Sequence, residues 1–139
     1  MASALVDASA MVAAFGQGEP EAERYIDLLR LAALERWTLS TTWPCVIEAS
    51  YLVAAPYRYA LLNWVGNGGL SVFPFEQRHL LDFIPVMQRH TNRPRTEMDL
   101  ADASLVWLAE ETGVTRILTL DQRDFSRYRL ADGRAFEIL

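Results

Sequence analysis

Short β-prone apolar runs alternate along this chain with longer stretches whose apolar residues recur at helical spacing. The predicted strands are residues 4–6, 37–41, 70–73, 116–120 and 135–139. Repeated alternation of strand and helix predicts an α/β fold, a three-layer sandwich around a mostly parallel central sheet of about five strands. No linker or internal repeat interrupts the pattern, so we expect residues 1–139 to form a single domain.

The helical stretches have the residues that helix ends prefer. The predicted helices are residues 9–15, 20–36, 44–54, 57–65, 76–89 and 99–112. Pro20 lies in the first turn of the second helix, and Gly113 directly follows the last one. The polar segment 89–95 is the only extended loop that the sequence predicts.

Acidic residues follow the predicted strands. Asp7 and Asp121 come directly after the first and fourth strands, and Glu48 and Asp102 lie early in the helices that cross over the sheet. Because the carboxyl ends of parallel strands meet at one edge of a sheet, these four side chains should converge. Converging carboxylates cannot all stay ionised without a cation, and their oxygens suit Mg²⁺ or Mn²⁺. The sequence therefore predicts a divalent-metal site.

Several of these acids also have a structural interpretation. Asp99 and Asp102 have the spacing of a helix N-cap and the third residue of that helix, and we favour the cap for Asp99 and a ligand role for Asp102. Asp121 and Asp124 have the same spacing, and we give the direct role to Asp121 and a secondary or capping role to Asp124. Glu48 is flanked by apolar residues, which predicts that it lies on a buried helix face. A buried carboxylate needs a hydrogen-bonding partner or a metal ion.

Composition narrows the chemistry. All 13 basic residues are arginine, which excludes a P-loop and Schiff-base catalysis. The single Cys45 suits a small core residue in a reducing compartment. The formal charge of −5 includes the four acids of the predicted site, so it does not exclude a nucleic-acid partner. No apolar run has membrane-spanning length and the N-terminus has no basic leader, so we expect a cytoplasmic protein.

Four segments resemble the PIN-domain ribonucleases, and most of all the VapC toxins of bacterial toxin–antitoxin pairs. They are LVDASAMVAAF from residue 5, IEASYLV from residue 47, MDLADASLVWLAEETG from residue 98 and ILTLDQRDF from residue 117. The resemblance implies a PIN-like fold. It assigns catalytic roles to Asp7, Glu48, Asp102 and Asp121. Ser9 then corresponds to a hydroxyl that supports the first acid, and Asp124 and Asp99 to secondary metal ligands.

The resemblance implies a Mg²⁺- or Mn²⁺-dependent endoribonuclease that hydrolyses phosphodiester bonds of RNA, commonly tRNA or rRNA. Arg89, Arg93 and Arg95, just ahead of the acidic helix, are candidates to hold the RNA backbone, with Ser9 beside them at the site. The equally supported alternative is that these arginines belong to a solvated loop that does not contact RNA. The other classes considered are a catalytically silent PIN-like interaction module and a metal-dependent phosphatase. A haloacid-dehalogenase-like phosphatase needs an Asp at position 9 and a Lys, and the sequence has neither.

The resemblance also implies protein partners. VapC-like toxins are blocked by a cognate antitoxin whose C-terminal segment covers the acidic groove, here against apolar walls predicted around residues 25–29 and 46–52. It further implies a homodimer. The stretch from residue 51 to 62 supports this, because it contains more apolar and aromatic residues than one covered helix face can absorb.

Overall fold

Five parallel strands form one sheet in the computed structural model, which describes residues 2–139. The strands are β1 (Ser3–Val6), β2 (Thr38–Thr42), β3 (Ser71–Phe73), β4 (Arg116–Leu118) and β5 (Glu137–Ile138). The helices are α1 (Ala8–Phe15), α2 (Ala22–Leu34), α3 (Trp43–Leu52), α4 (Tyr57–Gly66), α5 (Leu80–Arg89), α6 (Leu100–Thr112) and α7 (Gln122–Phe125). A short 3₁₀ turn, Gln77–His79, precedes α5.

The strand order is β3-β2-β1-β4-β5, with every neighbouring pair parallel. This confirms the predicted α/β class, with β5 as an edge strand. Register places Ala4 opposite Leu39 and Leu5 opposite Ile117. The central strand β1 is buried on both faces because helices flank the sheet, which explains its uninterrupted apolar sequence.

The core is densest around β1, α1 and α6. Helix α6 buries seven residues, more than any other helix of the described chain, and α1 buries four. Leu5, Met11, Leu105 and Ile117 have no exposed surface. The carboxyl ends of β1 and β4 are therefore held by well-packed elements, which fixes the residues that follow each strand.

Several boundaries differ from the predicted ones, and three of the differences have a clear physical reason. Strand β4 ends at Leu118 rather than at residue 120, because Thr119 turns its hydroxyl toward neighbouring polar groups. Helix α7 follows and was not predicted, since four residues are too few for a helical period to show. Helix α2 begins at Ala22, after a turn that contains Pro20. None of the helices described is both long and apolar enough to cross a membrane.

Candidate metal centre

A cleft of about 300 Å³ opens beyond the ends of β1 and β4. Thirteen residues line it; eight are acidic, and no basic residue is among those described there. The eight acids are Asp7, Glu19, Glu48, Glu97, Asp99, Asp102, Asp121 and Asp124. The structure thus brings together all the acids singled out in the sequence. It adds Glu19 and Glu97, which could not be placed there from the sequence because both lie in loops.

Asp7 forms the buried inner wall of the cleft. It is the N-cap of α1, and its Oδ1 accepts a hydrogen bond of 2.8 Å from the amide of Ala8. Its Oδ2 accepts from Ser9 Oγ at 2.9 Å and from Thr119 Oγ1 at 2.8 Å. Burial raises the pKa of Asp7, and these three hydrogen bonds act in the opposite direction. The protein therefore supplies this carboxylate with its own donors.

Thr119 links the two strand ends and was missed in the sequence. Its hydroxyl donates to Asp7 and accepts from the amide of Asp121 at 3.0 Å, while Tyr25 Oη donates to its carbonyl oxygen at 2.8 Å. Thr119 is fully buried. The available signal was a hydroxyl residue inside an otherwise apolar strand run, ILTLD. A buried hydroxyl at such a position needs hydrogen-bond partners.

Asp102, Asp121 and Asp124 form a second group, hereafter the three-Asp cluster. Each can offer one carboxylate oxygen, and these atoms all lie within 4.8 Å of one another. Asp102 lies in the first turn of α6, and Asp124 lies in α7. The capping role given to Asp124 is wrong: Asp121 is the residue that precedes α7, and its Oδ1 accepts from the Asp124 amide at 3.1 Å. Asp121 thus caps the helix and also belongs to the cluster.

Asp99 and Glu48 lie at other positions of the cleft. Asp99 is the N-cap of α6, with Oδ1 accepting from the amide of Asp102 at 2.8 Å. The prediction that Glu48 lies on a buried helix face is wrong, because α3 buries Val46 and Ala49 while Glu48 and its neighbour Ile47 are exposed. Apolar neighbours in sequence point in different directions around a helix, so they do not define the face of the residue between them.

Negative charge is in excess among the residues that line the cleft. Burial raises the pKa of Asp102 to about 8, and the nearby Asp99, Asp7 and Asp121 add to the increase. A hydrogen bond of 2.6 Å from Tyr128 Oη to Asp102 Oδ2 acts in the opposite direction. Partial desolvation within the cleft also raises the pKa of Asp121 and of Glu48, although the Glu48 side chain remains exposed at the surface. Ionising all of these groups together costs free energy unless a cation is present.

The donor set fits a hard divalent cation such as Mg²⁺ or Mn²⁺, since carboxylate oxygens are the ligands that these ions prefer. The single thiol of the chain, Cys45, is not available as a nucleophile. It is buried in α3, and burial raises its pKa to about 12. Ser9 Oγ is already committed to Asp7. The cleft can therefore bind a metal ion and admit water, and it holds no activated side-chain nucleophile among the residues described.

The segment 89–95, hereafter the arginine loop, borders this cleft. Arg93 and Arg95 line a hollow that shares Glu97 with the acidic cleft, and Arg93 forms an ion pair with Glu97. Arg89 is positioned differently, because its guanidinium donates to the carbonyl oxygen of Arg129 at 3.1 Å. Two of the three predicted arginines thus lie at the edge of the cleft, and the third is held to the backbone of the segment after α7.

The sequence profile of the PIN domain matches residues 4–130. A comparison with curated proteins finds no significant match. The matched range contains β2 to β4, all of β1 except its first residue, and all eight acids of the cleft. Because the match covers most of the chain, the protein belongs to the PIN domain family.

Proposed function

We propose that the protein is a Mg²⁺- or Mn²⁺-dependent endoribonuclease that acts as the toxin of a toxin–antitoxin pair. PIN domains are generally nucleases. The observation that carries the proposal is the three-Asp cluster in a cleft lined by eight acids, which is costly to maintain unless a cation binds there. The sequence resemblance to VapC toxins in four segments supports the toxin role and RNA as substrate.

The proposed role of each residue follows from its position in the cleft. Asp102, Asp121 and Asp124 would hold the cation, with Asp7 as an inner or water-mediated ligand. A bound divalent cation activates water for attack on a phosphodiester and neutralises charge on the phosphate. Glu48, exposed on the cleft, would orient the attacking water. Water is the nucleophile in this proposal because Ser9 and Cys45 are committed elsewhere.

RNA would approach along the arginine loop. The cleft itself repels a phosphate backbone until a cation is bound, so positive charge is needed at its edge. Arg93 and Arg95 supply that charge beside Glu97. We propose that they hold the backbone of a single-stranded or loop region of tRNA or rRNA in the cytoplasm.

The test is cleavage of total RNA with Mg²⁺ or Mn²⁺, comparing the wild type with Asp7→Ala and Asp7→Asn. We expect metal-dependent products from the wild type, loss of those products on chelation, and loss in both variants. Equal cleavage by the variants would point to a contaminating nuclease and contradict the proposal. A folded wild type that cleaves no RNA with either metal would favour the silent interaction module.

A cognate antitoxin is proposed as the regulator. Its C-terminal segment would place a basic residue in the acidic cleft. Of the predicted walls, Tyr25 and Val46 are buried and Leu52 lines the cleft, so the proposed apolar contact comes from Leu52 together with Val12 and Leu120. Expression of the chain alone should inhibit growth, and co-expression of the antitoxin should relieve the inhibition. Harmless expression of active protein would contradict the toxin role.

A homodimer is also proposed. Tyr51, Leu52 and Tyr59 are 81%, 58% and 64% exposed, so α3 and the start of α4 present an uncovered apolar surface. Pairing of these helices from two copies would cover it. Tyr59→Glu should weaken the dimer and lower cleavage of structured RNA more than of a short oligonucleotide. A wild-type monomer in sedimentation at tens of micromolar would contradict the dimer and leave the nuclease proposal unaffected.

A further inference from the structure

Two adjacent residues beyond α7 contact the three-Asp cluster, and the proposed mechanism gives neither of them a role. Tyr128 Oη donates to Asp102 Oδ2 at 2.6 Å. Arg127 Nε donates to Asp124 Oδ1 at 3.0 Å, as part of an ion pair. One short segment thus contacts two of the three carboxylates, although Asp102 and Asp124 come from different helices.

The position of the Tyr128 hydroxyl is fixed by the core. The side chain is fully buried, and its ring packs edge-on against Phe125 and His90 at centroid distances of 5.0 and 5.1 Å. The guanidinium of Arg127 lies over the same ring, 4.8 Å from its centroid. Aromatic packing of this kind restricts the ring to one orientation, so the hydroxyl cannot follow a carboxylate that moves away.

This contact determines how Asp102 can bind a cation. In the described chain, Tyr128 is the one residue that donates a hydrogen bond to the Asp102 carboxylate. The bond occupies one oxygen and restrains the rotamer, which leaves the other oxygen for a ligand. Arg127 occupies one oxygen of Asp124 in the same way. Partners of this kind orient metal ligands and commonly change metal affinity when they are removed.

We propose that Tyr128 is a positioning residue that fixes Asp102 as a one-oxygen ligand of the divalent cation. The inference rests on the proposed metal-dependent function and adds to it a determinant outside the acidic residues. It predicts that the hydroxyl of Tyr128, rather than its ring, sets the affinity of the site for metal.

The test measures Mn²⁺ binding to the full chain by titration calorimetry and by electron paramagnetic resonance of the bound ion. Tyr128→Phe removes the hydroxyl and keeps the ring. We expect roughly tenfold weaker Mn²⁺ binding, a changed spectrum of bound Mn²⁺, and an unchanged KM for RNA at saturating metal. The matched control is Tyr25→Phe, which also loses a buried hydroxyl bond, here to the carbonyl oxygen of Thr119 at 2.8 Å, and contacts no carboxylate. It should lose thermal stability and keep the wild-type Mn²⁺ affinity.

The outcomes separate the two proposals. A wild type that binds no Mn²⁺ overturns both the metal-dependent function and this inference. A wild type that binds Mn²⁺, with equal or tighter binding by folded Tyr128→Phe, overturns the inference alone. Where Tyr128→Phe fails to fold, the same change is made in Asp102→Asn, in which repulsion within the cluster is relieved. The double variant should bind Mn²⁺ as weakly as Asp102→Asn alone, and a further loss would show that Tyr128 acts by another route.

Discussion

The two sides of the acidic cleft are stabilised in different ways. Asp7 receives three hydrogen bonds from its own protein and is 5% exposed. The three-Asp cluster opposite, formed by Asp102, Asp121 and Asp124, holds three carboxylate oxygens within 4.8 Å of one another. Asp7 is thus paired with three donors, whereas Asp102 and Asp124 have one side-chain donor each, from Tyr128 and Arg127, and lie close to a third carboxylate. We therefore expect the fold to form without metal, and we expect a bound cation to stabilise the ionised form of the cluster.

The largest expected effect follows from neutralising the cluster. Asp102→Asn removes one of the proposed carboxylate ligands and keeps the shape of the side chain, so cleavage should fall by about 100-fold or more. The unfolding free energy without metal should stay the same or rise, because repulsion among the acids is relieved. Initial cleavage rates and thermal melting measure the two effects.

The matched control for this change is Asp82→Asn, which neutralises an exposed acid on α5 that does not line the cleft. It should keep wild-type cleavage. If Asp102→Asn instead unfolded the protein and left the activity per folded molecule intact, Asp102 would serve to stabilise α6, and the distinction between the two sides would fail.

The second prediction concerns pH. An unfolded Asp titrates near pH 4, and Asp102 in the folded protein has its pKa raised to about 8. Between these values the folded state holds a proton that the unfolded state has lost, so stability without metal should fall as pH rises from 4 through 8. Melting temperatures between pH 6 and 9 should therefore decrease in a chelator, and Mg²⁺ or Mn²⁺ should restore them.

Asp102→Asn tests the origin of that slope. The variant lacks the titrating carboxyl group of Asp102, so its melting temperature in chelator should depend less on pH than that of the wild type. Raised pKa values of Asp7 and Asp121 act in the same direction and would leave a smaller slope. A wild-type melting temperature that rises with pH in chelator would contradict the electrostatic description of the cluster.

The sequence was sufficient for the fold and for the acids at the strand ends. The alternation of β-prone and helical segments predicts parallel strands, and parallel strands place the residues that follow them, such as Asp7 and Asp121, at the same edge of the sheet. These are properties of sequence period and connection length, so they are readable from one chain.

The remaining parts of the site depend on tertiary contacts. Tyr128 lies 26 residues from the carboxylate that it contacts, and Thr119 lies 112 residues from Asp7. Glu19 and Glu97 reach the cleft from loops, whose paths carry no periodic signal. The burial of Glu48 was mispredicted for the same reason: a helix face is defined by what packs on it.

A third prediction sharpens the description of the Asp7 side. Thr119→Val keeps the shape of the residue and removes both the donor to Asp7 and the acceptor for the Asp121 amide. The unfolding free energy should fall by about 1–3 kcal/mol, because buried polar groups lose their partner. Denaturant unfolding in chelator measures the change. Ser9→Ala is the comparison; it should cost less, since Ser9 is only partly buried. Equal costs, or none, would show that Asp7 is not held by these hydroxyls.

The smallest expected effect lies outside the cleft, in the ion pair between Arg93 and Glu97 at its edge. If Arg93 makes the proposed phosphate contact, Arg93→Gln removes it, and the slope of log K against log salt for single-stranded RNA should decrease by about 0.7, with a few-fold weaker binding. Glu97→Gln removes an acid from the cleft edge and frees Arg93, so it should strengthen RNA binding. Arg30→Gln, on an exposed ion pair of α2 away from the cleft, is the control and should leave both quantities unchanged. If Arg93→Gln bound RNA with the same affinity and salt dependence as Arg30→Gln, Arg93 would not contact the RNA backbone. The proposed basic border of the cleft would then have to consist of other residues.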